Sequence, residues 1–223
     1  GSPHWSPFLR GPLSMVVGAG GRVAEAALRA LLRRLITESM ITLSLPPDRA
    51  TIPCRPELRY MPRNTVASWF RNIAGGGRVQ GDSARRAWRA TRMGILRALH
   101  EAQVPILLGT DAPQVFSVPG FSIHREMETM VEAGMSPYEV LMSGTRNVAE
   151  HFGTLAEAGT IEVGKRADLI LLDANPVDAV ANVQRRAGVM IDGRWLPESE
   201  IQRGLQALAA QYESLVLPFI VLL

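Results

Sequence analysis

The order of hydrophobic and polar positions divides the chain into a helix-rich part and a later strand-rich part. Apolar residues recur at helical spacing over residues 22–38 and from Asp82 to about Gln103, in both cases beside several arginines. Two short apolar runs, 40–45 and 104–108, end at breaker residues and predict buried strands. This alternation predicts an α/β fold with a parallel sheet covered by helices.

Shorter helices are predicted around and after the second strand. One is capped by Asn64 or Thr65. Another is capped by Ser122 and ends at Gly134, with a buried face formed by Ile123, Met127, Met130 and Val131. The next begins with Ser136-Pro137-Tyr138-Glu139, which has the form of a capping box with proline at the first helical position.

The pattern changes from helical to strand-like at Gly159. Strands are predicted at 160–163, 167–172, 188–191 and 194–196, and Asp192-Gly193 is a strong two-residue hairpin signal before the last of them. A helix from about Pro197 to Tyr212 follows. The apolar tail Leu215–Leu223 is too short to span a bilayer and is interrupted by Pro218, and we expect it to be an apolar terminus that packs on some other surface.

Composition and charge exclude several classes of protein. The 223 residues are 47% hydrophobic and 20% charged, which is typical of a globular protein, and no apolar run reaches the length of a membrane span. The net charge is only +3 and the arginines are scattered, so we expect no nucleic-acid partner. Cys54 is the only cysteine, which rules out an internal disulfide and fits a cytoplasmic location.

Asp111 is the first candidate for chemistry. It follows the predicted strand 104–108 through Gly109 and Thr110, and in barrels and doubly wound folds this end of a strand carries the functional groups. The structural alternative is that Asp111 accepts backbone hydrogen bonds in the next turn. Spacing alone leaves both interpretations open.

A glycine-rich stretch near the start, Gly18–Ala24, leads into the first predicted helix. A short strand, Gly-x-Gly and a helix form the outline of a dinucleotide phosphate loop. The expected second strand ending in an acidic residue is missing, so a flexible turn before a helix is the favoured interpretation.

Four segments resemble one known family. They are Leu107-Leu108-Gly109-Thr110-Asp111-Ala112-Pro113, residues 119–126 with 131–137, residues 159–169 and Asp173-Ala174-Asn175-Pro176. In this order, from about Met40 to Leu205, they resemble the C-terminal part of a metal-dependent amidohydrolase of the prolidase-like and imidazolonepropionase-like branch. The resemblance implies a partial (β/α) barrel, with its last strands and helices, and a small C-terminal β module belonging to a composite β-sandwich.

The resemblance also implies a division of the chain. Residues 1–38 are an irregular start with one helix, and residues 39–153 are the C-terminal part of the barrel. Residues 154–196 are the β module of the composite sandwich. Residues 197–223 are the C-terminal helix and apolar tail.

Two residues receive roles by resemblance. Asp111 matches the family's aspartate that ligates a divalent metal, zinc or similar, and exchanges a proton with the metal-bound water. His124 matches a position where a histidine is frequent and would contact substrate, although a capping or packing role is an equal alternative. The implied reaction is hydrolysis of a carbon–nitrogen bond, other than an ordinary peptide bond, in a small-molecule amide.

The sequence departs from the family at the remaining metal ligands. It contains no His-x-His pair, and its histidines, His4, His100, His124 and His151, do not fall at matching positions. A hydrolytic metal site needs about three protein ligands. We therefore expect a truncated member without a complete metal site. The site would be completed in a homo-oligomer or by a complementary chain. Alternatively, the chain would be a non-catalytic remnant or an assembly-dependent subunit.

Overall fold

The structure, a computed structural model, describes residues 55–74, 82–113 and 116–214. The predicted helix 22–38, the predicted strand 40–45, the stretch Gly18–Ala24 and the apolar tail lie outside the described residues. Among the helices described, none has both the length and the apolarity needed to cross a membrane.

The described residues form helices first and a small sheet later. A 3-10 helix, Pro56–Tyr60, precedes helices α1 (Arg63–Ala74), α2 (Asp82–Glu101), α3 (Ser122–Glu132), α4 (Pro137–Gly144) and α5 (Arg146–His151). They are followed by β1 (Leu169–Leu172), a second 3-10 helix (Val180–Gln184), β2 (Arg186–Ile191), β3 (Arg194–Pro197) and α6 (Glu198–Ser214).

The main core forms where α2 and α3 pack around the segment between them. Met93, Leu96 and Leu99 of α2 are buried on one face, as their three-residue spacing predicts, and Met127 and Met130 of α3 lie in the same cluster. The predicted face of α3 is confirmed in part, because Ile123 and Val131 are only half-buried. The core therefore fixes α3, which begins directly after the loop that carries Asp111.

The two predicted helix starts on either side of Gly134 have different outcomes. The capping box is confirmed: the Glu139 N–H donates to Ser136 Oγ at 3.3 Å, and the Ser136 N–H donates to Glu139 Oε2 at 2.8 Å. The prediction that Ser122 caps α3 is wrong. Its hydroxyl accepts a hydrogen bond from the Val118 N–H at 2.7 Å, so it is bound to the preceding turn and stands inside the helix.

The run 104–108 is not a strand in the structure. Val104 and Ile106 are buried, but the Leu108 N–H donates to the Ser143 carbonyl at 3.1 Å and Asn147 Nδ2 donates to the Ile106 carbonyl at 3.4 Å. A strand needs a neighbouring strand as ladder partner, and the predicted neighbour, 40–45, lies outside the described residues. Here α4 and α5 bind the backbone groups, and the barrel stays a prediction for this chain.

The later strands form an antiparallel sheet in the order β1-β2-β3. The hairpin between β2 and β3 is confirmed, because Asp192 and Gly193 have φ of 48° and 77°, as a two-residue turn of this kind requires. The predicted strand 160–163 is wrong. Ile161 is 86% exposed, and the Thr160 hydroxyl donates to Glu162 Oε1 at 2.6 Å, so this stretch is a polar turn.

Candidate functional site

Asp111 lies in an irregular stretch, residues 109–113, which together with residues 116–118 is called the Asp111 loop. Its φ is +52°, a left-handed conformation that aspartate tolerates better than most residues. Ser117 Oγ donates to the Thr110 carbonyl at 3.2 Å, which ties the far side of the loop to the residue before Asp111. The Asp111 residue is half-buried. The loop therefore holds this residue in a defined place at the edge of the core.

A buried arginine anchors the same loop from outside. Arg55 is 7% exposed, and its Nη1 donates to the carbonyl of Phe116 at 2.9 Å. Phe116 is fully buried and also has a positive φ, +59°. Burial, followed by the charge of Arg125, lowers the pKa of Arg55 to about 10, and Glu57 opposes this shift. Arg55 is therefore still a cation at neutral pH, when it donates to this carbonyl.

An ion pair joins the 3-10 helix to the first turn of α3. Glu57, which is 5% exposed, accepts hydrogen bonds from both Nε and Nη2 of Arg125 at its Oε1 atom, the first at 3.1 Å. Glu57 is the buried partner, whereas the Arg125 side chain is 38% exposed, so loss of Arg125 would leave the Glu57 carboxylate without this partner in a buried position. The pair fixes the start of α3 relative to the 3-10 helix.

His124 lines a cavity of about 340 Å³ beside this ion pair. Its other lining residues, from the 3-10 helix, α3 and Gln184, are Pro56, Glu57, Arg59, Tyr60, Phe121, Arg125 and Glu128. The rings of Tyr60 and Phe121 stack with centroids 4.8 Å apart. The cavity thus combines an aromatic wall with charges of both signs.

The surroundings of the His124 imidazole favour its neutral form. Burial and, to a lesser extent, the charge of Arg186 hold the pKa of His124 below its ordinary value. Its Nδ1 atom is buried and has no hydrogen-bond partner among the described residues. Asp111 is not among the residues that line this cavity. A cleft shared by Asp111 and His124 therefore stays a prediction.

Comparison with known proteins decides the family. The sequence profile of the amidohydrolase family matches residues 17–196, most of the chain. The chain belongs to the amidohydrolase family. This confirms the resemblance found in its sequence motifs, and the family's fold is of the (β/α)-barrel type.

Three similar proteins show how much of an amidohydrolase this chain spans. Imidazolonepropionase of Shouchella clausii is 33% identical over 116 residues, which are 46% of this chain and 25% of that protein. A prolidase-like structure from Bifidobacterium longum is 28% identical with a TM-score of 0.51, over 77% of this chain and 38% of the other. Bottromycin amidohydrolase has a TM-score of 0.62 at 23% identity, over 92% and 48%, and shows likeness of fold alone.

The amidohydrolase family generally uses divalent metals, but the described residues do not fit such an ion. They contain no cluster of three or more histidine, cysteine, aspartate or glutamate side chains that could hold a metal. His100 Nε2 lies 3.9 Å from Glu139, and His151 is exposed against the ring of Phe152. His4 lies outside the described residues. Asp111 is thus not joined there by the further ligands that a hydrolytic site needs.

Arg55 and Glu57 are the residues that the sequence did not single out. They lie in a proline-rich connection without a helical or strand period, and their partners are 61 and 68 positions away. A charged residue in such a stretch is usually exposed. The only local signal was Arg125, the second cation of this cluster, which directly follows the candidate residue His124 in the sequence.

Proposed function

We propose that this chain works in a hydrolase that cleaves carbon–nitrogen bonds, other than ordinary peptide bonds, in small-molecule amides. The observation that carries the proposal is the amidohydrolase match across residues 17–196. It includes the Asp111 loop, the start of α3 and the β-sheet. The imidazolonepropionase and the prolidase-like protein support a carbon–nitrogen bond as the reacting group.

We assign Asp111 the role of the base in this reaction. An ionised carboxylate can accept a proton from an attacking water when it is held within hydrogen-bond reach. The contacts of Ser117 with Thr110 and of Arg55 with Phe116 support this role, because they fix the loop on either side of Asp111. Holding a catalytic group on a rigid loop lowers the entropy lost when the reactants are aligned.

We assign His124 to the substrate-facing wall as a neutral imidazole. A neutral ring can accept as well as donate a hydrogen bond, which suits it to an amide group. The aromatic pair Tyr60 and Phe121 and the nearby Gln184 offer further apolar and polar contacts in the same cavity. This assignment places substrate beside the first turn of α3.

A complete metal site requires ligands beyond the described residues. We propose that they come from a second polypeptide, a complementary chain that is absent from the purified protein. The absence of a ligand cluster in residues 55–74, 82–113 and 116–214 equally favours a second candidate, a non-catalytic remnant or an assembly-dependent subunit. A dinucleotide-binding role for Gly18–Ala24 is the weaker alternative, since it rests on that sequence motif alone.

The direct test is an activity assay with matched variants. Purified chain is assayed with added zinc or manganese on N-acyl amino acids, dipeptides and cyclic amides. We expect no appreciable turnover by the chain alone, because one carboxylate cannot hold a divalent ion against water. The assay is then repeated after co-expression with the half of a family relative that carries its His-x-His pair.

Two variants are compared in the assay that follows co-expression. Asp111→Asn removes the proposed base, and Asp173→Asn changes an exposed aspartate after β1 as the control. Turnover that is lost in Asp111→Asn and kept in Asp173→Asn supports the proposed function. Turnover that is the same in both variants would refute the role of Asp111, and a metal-loaded complex without turnover would favour the non-catalytic alternative.

A further inference from the structure

An apolar groove lies along α1, and Phe70 in its wall also contacts the ring of Phe116 in the Asp111 loop. Its volume is about 330 Å³, and we call it the α1 groove. Its lining residues come from the 3-10 helix, α1 and the end of α6: Leu58, Arg59, Met61, Arg63, Val66, Ala67, Phe70 and Tyr212. Phe70 is 37% exposed there. The floor is apolar and the two arginines are the charged side chains among the lining residues.

The end of α6 leads directly into this groove. Tyr212 is one of its lining residues, and α6 ends two residues later at Ser214. The chain continues as Leu-Val-Leu-Pro-Phe-Ile-Val-Leu-Leu, residues 215–223, without a charged side chain. Pro218 lacks the N–H that a continuing helix would use. Exposure of such a segment to water is unfavourable, and packing it against apolar surface lowers the free energy.

We propose that the apolar segment 215–223 docks in the α1 groove of its own chain. Its short connection to Tyr212 gives it a high effective concentration at the groove, which a separate protein would have to match by affinity. An extended segment of this length spans enough distance to run along α1. Docked there, it covers Val66 and Phe70 and supports the 3-10 helix that carries Glu57. In this proposal the occupant of the α1 groove is a segment of the same chain and not a separate protein.

Photo-crosslinking tests this assignment in the full chain. Phe219 is replaced by p-benzoylphenylalanine, the sample is irradiated, and the crosslinked peptides are mapped by mass spectrometry. We expect the crosslinks to fall within residues 58–70 of the same molecule. The control places the same probe at Phe152, which is exposed and does not line the groove, and should give no crosslinks to residues 58–70.

Two further experiments complete the test: a variant of the groove, and an isotope mixture that separates crosslinks within one copy from crosslinks between copies. Ala67 is exposed, so Ala67→Glu should leave the fold intact by circular dichroism while placing a charge in the groove. It should lower the yield of Phe219 crosslinks several-fold. In a mixture of ¹⁴N and ¹⁵N protein, crosslinks between two copies would overturn docking within one chain. Crosslinks only to residues 1–54, or none to residues 58–70, would overturn it as well.

Discussion

Arg55 shows at the residue scale how one buried cation holds the loop of Asp111. Its guanidinium donates to the Phe116 carbonyl at 2.9 Å in a nearly dry environment. Hydrogen bonds from charged donors are stronger than those between neutral groups. If this donor is removed, the Phe116 carbonyl loses the hydrogen bond in a buried position. We expect the loss of stability to come from the Asp111 loop rather than from the change in surface charge.

We therefore predict that Arg55→Met destabilises the protein by about 1–3 kcal/mol. The measurement is urea unfolding, followed by circular dichroism. Arg203→Met, which changes an exposed arginine of α6, should stay within about 0.5 kcal/mol of the unchanged protein. Equal, small effects of the two substitutions would show that the contact with Phe116 does not stabilise the loop.

The candidate site residues could be proposed from sequence only where their signal was local or part of a family motif, and their roles stay predictions. Asp111 stood out because an apolar run, a small residue and a hydroxyl preceded it. Arg55 and Glu57 did not, because burial of a charge depends on partners 61 and 68 positions away. His124 was found through its place in a family motif. The physical reason for its lowered pKa, burial and then the charge of Arg186, became visible only in the structure.

At the scale of elements, the same distinction separates helices from strands. The helices α2, α4 and α6 lie close to their predicted ranges because period, caps and prolines are local signals. The hairpin at Asp192-Gly193 is also local. The runs 104–108 and 160–163 had apolar or alternating patterns but form no strand, because a strand requires a partner that pattern alone does not specify.

The capping box of α4 gives the prediction at this scale. Ser136→Ala removes the acceptor of the Glu139 N–H and should cost about 1 kcal/mol of unfolding free energy. Thermal or urea unfolding measures the loss. Ser199→Ala, at an exposed position in the first turn of α6, is the control and should change stability less. A larger effect at Ser199 than at Ser136 would contradict the capping role.

At the scale of the whole molecule, the chain combines a family-wide match with an incomplete set of ligands. The amidohydrolase profile spans residues 17–196, whereas the described residues contain no cluster able to hold a metal. Hydrogen bonds from Arg55 to the Phe116 carbonyl and from Ser117 to the Thr110 carbonyl bind the Asp111 loop on both sides of Asp111. This combination leads to our central claim, that Asp111 belongs to a hydrolytic site whose other ligands come from a complementary polypeptide.

Metal stoichiometry tests this claim most directly. The purified chain is loaded with zinc, desalted, and its zinc content is measured by inductively coupled plasma mass spectrometry, beside Asp111→Asn and Asp173→Asn. We predict far less than one tightly bound ion per chain, with no difference among the three proteins, because affinity requires several converging ligands. One zinc ion per chain, lost in Asp111→Asn and kept in Asp173→Asn, would contradict the account.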